Sequence, residues 1–84
     1  MGQKEKLIRR LKSQPKDFTF EEAEALLRYF SYERNDKGRT SGSRVMFVSA
    51  EHPPILMHKP HPRKELLSYQ VKQLLELLSQ EGLV

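Results

Sequence analysis

Three histidines, His52, His58 and His61, lie within ten residues of one another. Imidazole is the side chain whose unperturbed pKa lets it act as both general base and general acid near neutral pH. Cleavage of RNA needs both roles, because a base takes the 2′-hydroxyl proton and an acid protonates the leaving oxygen. His58 and His61, in the stretch HKPHP, are therefore candidate catalytic residues.

Basic side chains accompany these histidines in the sequence. Such side chains can bind phosphate and stabilise negative charge that develops on it during a reaction. The candidates are Lys37, Arg39, Arg44, Lys59, Arg63 and Lys64. The chain carries fifteen Lys and Arg against eleven Asp and Glu, and its net charge of +4 is a mild indication of a polyanionic partner.

The bare pattern has other interpretations, and its spacing alone favours a surface loop with structural histidines. The spacing of His58 and His61 also suits zinc, but zinc needs three or four ligands and no carboxylate or cysteine is obviously placed to complete a set. We therefore predict no metal and no other cofactor. Gly38 and Gly42 flank RTS, but no phosphate-loop pattern is present and turn geometry explains both glycines.

The composition excludes several classes of function. The chain has no cysteine, which rules out disulfides, thiol nucleophiles and Cys-type zinc sites and fits a reducing cytosol. No stretch approaches the roughly 20 apolar residues that span a bilayer, and the first residues contain no apolar run of signal-peptide length. We expect a cytoplasmic protein with no membrane partner. Its 84 residues predict a single domain, 1–84.

Two helices are predicted before the histidines and one after them. A short basic helix falls within residues 1–16, where Leu7, Ile8 and Leu11 form an apolar stripe. The second covers Phe20 to Tyr29, because Thr19 and Glu22 have the spacing of a capping box. In the last helix the apolar repeat is Val71, Leu74, Leu75 and Leu78. Ser68 is its predicted cap, and Gly82 is placed to end it.

Three strands are predicted between these helices, near residues 31–34, 43–48 and 55–58. Alternation puts Val45 and Phe47 on one face of the second strand, but the opposite face is apolar as well, so the sequence does not decide which face meets the helices. The third strand places Leu56 and His58 on the same face.

The predicted fold class is α+β: a three-stranded antiparallel sheet with two helices packed on one face, in the order α-β-β-β-α over residues 18–84, after a short extra N-terminal helix. This is the order of the double-stranded-RNA-binding domain. In an antiparallel meander the start of the second strand and the end of the third are neighbours. Arg44 and His58 are therefore expected to lie close together.

The succession of GSRVMF, LMHKPHPRKEL and LLSQEGLV resembles the HicA toxins of bacterial toxin–antitoxin pairs, from about Phe18 to the end of the chain. HicA proteins fold like the double-stranded-RNA-binding domain, cleave messenger RNA and are neutralised by a HicB antitoxin that covers their active surface. The resemblance implies an mRNA-cleaving endoribonuclease toxin, with mRNA and a HicB-like antitoxin as partners.

The chain departs from the family at one position. Many HicA proteins carry Gly-Ser-His at the head of the second strand, where the histidine is catalytic, whereas this chain has Gly42, Ser43 and Arg44. Ser43 matches and is a candidate RNA-binding residue. Arg44 cannot act as a base, because a guanidinium does not deprotonate at physiological pH, but it can bind the scissile phosphate. His61 with its proline aligns with a His-Pro that commonly follows the third strand in the family.

Two hypotheses follow from this departure. In the first, His58 or His61 is the base on the 2′-hydroxyl, Arg44 and Lys59 neutralise the phosphate, and the product is a cyclic phosphate formed without a metal. In the second, the chain is a catalytically inactive RNA-binding or protein-interaction domain of the same fold.

Overall fold

The computed structural model describes residues 2–35, 44–60 and 63–84. Its elements are α1 (Gln3–Lys12), α2 (Phe20–Tyr29), β1 (Glu33–Asn35), β2 (Arg44–Val48), β3 (Ile55–His58) and α3 (Ser68–Gln80). The strands form one antiparallel sheet in the order β1-β2-β3. The predicted α+β class and element order are confirmed. Within the described ranges, no helix combines the length and the apolar character needed to cross a membrane.

The sheet has one covered face and one open face. Val45 and Phe47 of β2 are buried, as are Ile55 and Met57 of β3, and all four belong to the core cluster that the helices complete. Alternation leaves the remaining side chains of β2 and β3 on the open face, where they are partly or largely exposed. The open-face residues of these two strands are Arg44, Met46, Val48, Leu56 and His58.

The basic N-terminal helix α1 is part of the core. Its Leu7 and Leu11 are buried, and the Arg10 guanidinium reaches α2, with Nε 2.8 Å from Glu22 Oε2. Arg10 also lies 3.3 Å from Asp17. The hydrogen bond to Glu22 raises the pKa of the Arg10 guanidinium, and the nearby negative charges add to this effect. Arg10 is therefore a structural residue.

The two later helices begin in different ways. At α2 the predicted capping box is confirmed: Glu22 N–H donates to Thr19 Oγ1 over 3.1 Å, and Thr19 N–H donates to Glu22 Oε1 over 3.0 Å. At α3 the predicted cap is wrong, because Ser68 is the first residue of the helix and Leu67 is the capping position. The acceptor comes from within the helix, where Gln70 Oε1 accepts the Leu67 N–H over 2.9 Å.

The chain ends in the turn that Gly82 predicts. Gly82 has a φ of +74° and donates its N–H to Ser79 O over 3.0 Å, while Leu83 donates to Leu78 O over 2.9 Å. These two bonds form a Schellman motif. Strand β1 begins later than predicted, at Glu33, because the turn after α2 includes Ser31 at a φ of 68°.

Candidate functional site

Arg44 and His58 are direct partners in the register of β2 and β3. Both side chains are exposed on the open face. The carbonyl of His58 accepts a hydrogen bond from Gln70 Nε2 over 2.7 Å. Residues directly opposite each other on one face of an antiparallel pair have Cβ atoms about 4.5–5.5 Å apart, so the Arg44 and His58 side chains are close neighbours. The predicted proximity of these two residues is confirmed.

An apolar pair follows this polar pair on the same face. Met46 and Leu56 are the next open-face partners, and Leu56 is 49% exposed. They stand roughly 7 Å along the strands from Arg44 and His58, since a strand rises about 3.4 Å per residue. Further along, Val48 pairs with Glu33 of β1. The open face therefore changes from cationic to apolar to acidic along β2.

Three of the basic residues predicted to bind phosphate, Lys59, Arg63 and Lys64, lie near the start of α2. Lys59 Nζ stands 5.8 Å from the centre of the Phe20 ring, on the helix side of the sheet. The main chain of the following segment is tied to the same helix, with Phe20 N–H donating to Lys64 O over 3.1 Å. Arg63 Nε donates to Glu65 O over 3.2 Å. The side chains of Lys59, Arg63 and Lys64 are exposed, and that of Lys59 lies on the opposite side of the sheet from the Arg44–His58 pair.

The other predicted site residues fall outside the described residues. They are Lys37, Arg39, Ser43 and His61. Their candidacy therefore rests on the sequence, as does the interpretation of Gly38 and Gly42 as turn glycines.

His52 has a structural role at the far end of the sheet. It lies in the turn between β2 and β3, where its Nδ1 is 2.9 Å from Glu81 Oε1 and its ring stacks on Tyr32 with centres 6.1 Å apart. The Tyr32 hydroxyl donates to Pro53 O over 2.8 Å. Burial raises the pKa of the Tyr32 hydroxyl, and the Glu81 carboxylate adds to the effect. These contacts join the turn to the end of α3.

Sequence reasoning missed Gln70. It is the only buried polar side chain among the described residues, with an exposed fraction of 7%. A glutamine in the first turn of a helix usually faces solvent, so the residue type gives no warning. The signal that could have found it is its spacing, because Gln70 lies four residues before Leu74 and so falls on the apolar stripe of α3.

The arrangement can bind an anion and move a proton. The Arg44 guanidinium offers planar, permanently charged donors, and the adjacent imidazole can accept or donate a proton. Within the described ranges, no group of three His, Asp or Glu side chains is arranged to hold a metal ion.

Fold and site together define a class: a small α+β domain whose three-stranded sheet carries an arginine–histidine pair at one end of its open face. Comparison of the chain with protein-family models, with curated proteins and with solved structures gives no match in any of the three.

Proposed function

We propose that this chain is a HicA-type toxin, an endoribonuclease that cleaves messenger RNA without a metal ion. The observation that supports the proposal best is the pairing of Arg44 with His58 on the open face of the sheet. A phosphate bound by the Arg44 guanidinium would lie within reach of the His58 imidazole, so charge stabilisation and proton transfer can act on the same nucleotide.

The proposed reaction is an attack of RNA on itself. His58 takes the proton of the 2′-hydroxyl, and the 2′-oxygen forms a bond to phosphorus while the bond to the 5′-oxygen breaks. The leaving oxygen takes a proton from a general acid, for which His61 is the candidate from the sequence. The products are a 2′,3′-cyclic phosphate and a 5′-hydroxyl, and Arg44 stabilises the charge on the phosphate oxygens during the exchange.

The surroundings of the pair favour an RNA strand that follows the open face. Met46 and Leu56 offer exposed apolar area one step along the strands, where the face of an unstacked base can make contact. Lys59, Arg63 and Lys64 follow His58 closely in the chain and are exposed, so we assign them, with Lys37, Arg39 and Ser43, to phosphates on either side of the cleaved one.

A second candidate function is a protein-interaction domain, and the exposed Leu56 favours it, because exposed apolar side chains beside a charged rim are typical of protein interfaces. The two functions are compatible if a HicB-like antitoxin covers the same face that binds RNA. We propose this antitoxin as the protein partner and the cytoplasm as the location. The remaining alternative is an RNA-binding domain without catalysis, in which Arg44 holds phosphate.

The test is incubation of the purified protein with end-labelled messenger RNA in the presence of EDTA. His58→Ala and His61→Ala are run beside the parent, and His52→Gln serves as the control because His52 lies at the far end of the sheet. We expect cyclic-phosphate ends from the parent and from the control, and a loss of about 10²- to 10⁴-fold in cleavage for one or both alanine variants.

Other outcomes separate the alternatives. Undiminished cleavage by both alanine variants would show that the catalytic assignment is wrong. Intact RNA that is nevertheless retarded on a gel would indicate the RNA-binding domain without catalysis. Intact RNA with no retardation, together with capture of a co-expressed antitoxin, would indicate the protein-interaction domain.

A further inference from the structure

Gln70 uses both ends of its side-chain amide. Its Nε2 donates to the carbonyl of His58 over 2.7 Å, and its Oε1 accepts the N–H of Leu67 over 2.9 Å. The side chain is 7% exposed. A buried amide is stabilising only when its donors and acceptors have partners, so this side chain favours one position of the end of β3 relative to the start of α3.

The carbonyl that Gln70 holds belongs to an edge strand of the described sheet. In the strand order β1-β2-β3, the outer side of β3 has no strand beyond it. The last residue of an edge strand has pairing from one side only and is ordinarily free to shift. The bond from α3 fixes the main chain of His58, whose side chain lies on the same face as that of its partner Arg44.

We propose that Gln70 is a positioning residue for His58, one that sets the distance between the His58 imidazole and the Arg44 guanidinium. The geometric part of this proposal stands on the hydrogen bonds, whereas its effect on cleavage rests on the proposed nuclease function. Gln70 contacts neither RNA nor the reacting atoms. It acts through the main chain of the residue that does.

Glutamine is suited to this role because its side-chain amide carries a donor and an acceptor on the same group. Gln70→Glu keeps an oxygen for the Leu67 N–H but places a carboxylate oxygen against the His58 carbonyl, so it breaks the bond to β3 and preserves the bond to Leu67. Gln70→Met keeps the approximate volume and removes both bonds. Gln73→Glu is the matched control, since it adds the same charge to an exposed position one turn along α3.

The experiment compares the parent, Gln70→Glu, Gln70→Met and Gln73→Glu by two readouts. The first is NMR without RNA: the amide shift of Lys59, which follows the His58 carbonyl, and nuclear Overhauser contacts between the His58 ring and the Arg44 side chain. The second is cleavage of labelled mRNA, with kcat and KM determined separately and thermal unfolding measured in parallel.

We expect both Gln70 variants to shift the Lys59 amide and weaken the His58–Arg44 contacts, while the Gln73 variant leaves both unchanged. In cleavage we expect kcat to fall about 10- to 100-fold with KM nearly constant, because a misplaced catalytic group affects the transition state more than substrate binding. If Gln70→Glu fails to fold, Gln70→Met carries the same comparison without a buried charge.

The outcomes distinguish this proposal from the proposed function. Unchanged His58–Arg44 contacts and an unchanged kcat in folded Gln70 variants would overturn the positioning role while leaving the nuclease intact. A parent that does not cleave RNA, combined with lost His58–Arg44 contacts in the Gln70 variants, would support the positioning role and overturn the nuclease. A fall in kcat that only follows the fall in stability would show that Gln70 is merely structural.

Discussion

Arg44 at the start of β2 and His58 at the end of β3 are partners on neighbouring strands, and both side chains lie on the face that none of the described helices covers. Side chains directly opposite each other on one face of an antiparallel pair have Cβ atoms about 4.5–5.5 Å apart. A single phosphate can therefore contact both.

This pairing predicts that Arg44 and His58 act as a unit. We expect Arg44→Ala and His58→Ala each to lower kcat/KM for RNA cleavage by about 10²- to 10³-fold, and the double variant to lose much less than the product of the two. Arg9→Ala, an exposed cation on α1, is the control and should retain full activity. Independent, fully multiplicative losses would contradict a shared phosphate.

Binding of RNA should depend steeply on salt, because neutralised phosphates release counterions. We expect a linear decrease of the logarithm of the association constant with the logarithm of salt concentration, and a slope reduced by about one unit in Arg44→Gln. Fluorescence anisotropy with a labelled oligoribonucleotide measures both slopes. A parent slope near zero would point to a protein partner instead of RNA.

Leu56 should contribute to RNA binding and little to folding, since it is 49% exposed on the open face. Truncation in Leu56→Ala removes apolar area next to the Arg44–His58 pair, and we expect RNA affinity to fall about 3- to 10-fold. The unfolding midpoint should stay within experimental error. Leu77→Ala, which removes an exposed leucine from α3, is the control. Equal RNA affinity in the parent and Leu56→Ala would remove Leu56 from the binding surface.

Tyr32 should make the protein sensitive to alkali. Burial raises the pKa of its hydroxyl in the folded state. The unfolded chain therefore loses this proton first, so the stabilisation is complete below the unfolded pKa of about 10 and is lost as pH rises through the folded pKa. Urea unfolding from pH 8 to 11 should show a steeper loss of unfolding free energy for the parent than for Tyr32→Phe.

The same substitution removes the hydrogen bond to Pro53 O, so we expect Tyr32→Phe to be less stable at neutral pH by about 1 kcal/mol. Tyr69→Phe, at a tyrosine that is 56% exposed, is the control and should follow the parent curve. Identical pH slopes for Tyr32→Phe and the parent would contradict the effect of burial on Tyr32.

Substitution of Gly82 by a residue with a side chain should lower stability, because the backbone conformation at this position disfavours a Cβ. Its φ of +74° lies in the left-handed region, and an added Cβ would meet nothing within 4 Å. We expect Gly82→Ala to cost about 1 kcal/mol and to lower Tm by about 4–8 °C, with a smaller loss for Gly82→Asn, which tolerates this region better. Thermal unfolding of the three proteins tests this. A Tm for Gly82→Ala equal to that of the parent would show that a glycine at this turn does not contribute to stability.

The helices and the strand order could be predicted because their signals are local. Thr19 and Glu22 mark the start of α2 by their spacing alone, and Gly82 marks the end of α3 by its freedom at positive φ. The covered face of β2 could not be predicted, since Met46 and Val48 are as apolar as the residues that the core selects. That choice depends on which side of the sheet the helices occupy.

The candidate site also has a part that could be predicted from the sequence and a part that could not. The proximity of Arg44 and His58 follows from the antiparallel topology of the sheet, and that topology follows from the order of the elements. The side of the sheet occupied by Lys59 and the burial of Gln70 depend on how α2 and α3 pack, which no spacing within β3 reveals.

Strand β3 is attached to α3 at both of its ends. Gln70 holds the carbonyl of His58 at one end, and the contact of His52 with Glu81 joins the preceding turn to α3 at the other. Strand β1 is held to a different helix, because Arg34 Nη1 lies 3.6 Å from Glu24 Oε1 of α2. Because β3 is held at both ends, β3 and α3 should open together as one cooperative unit, and His58 should keep its place beside Arg44 until that unit opens.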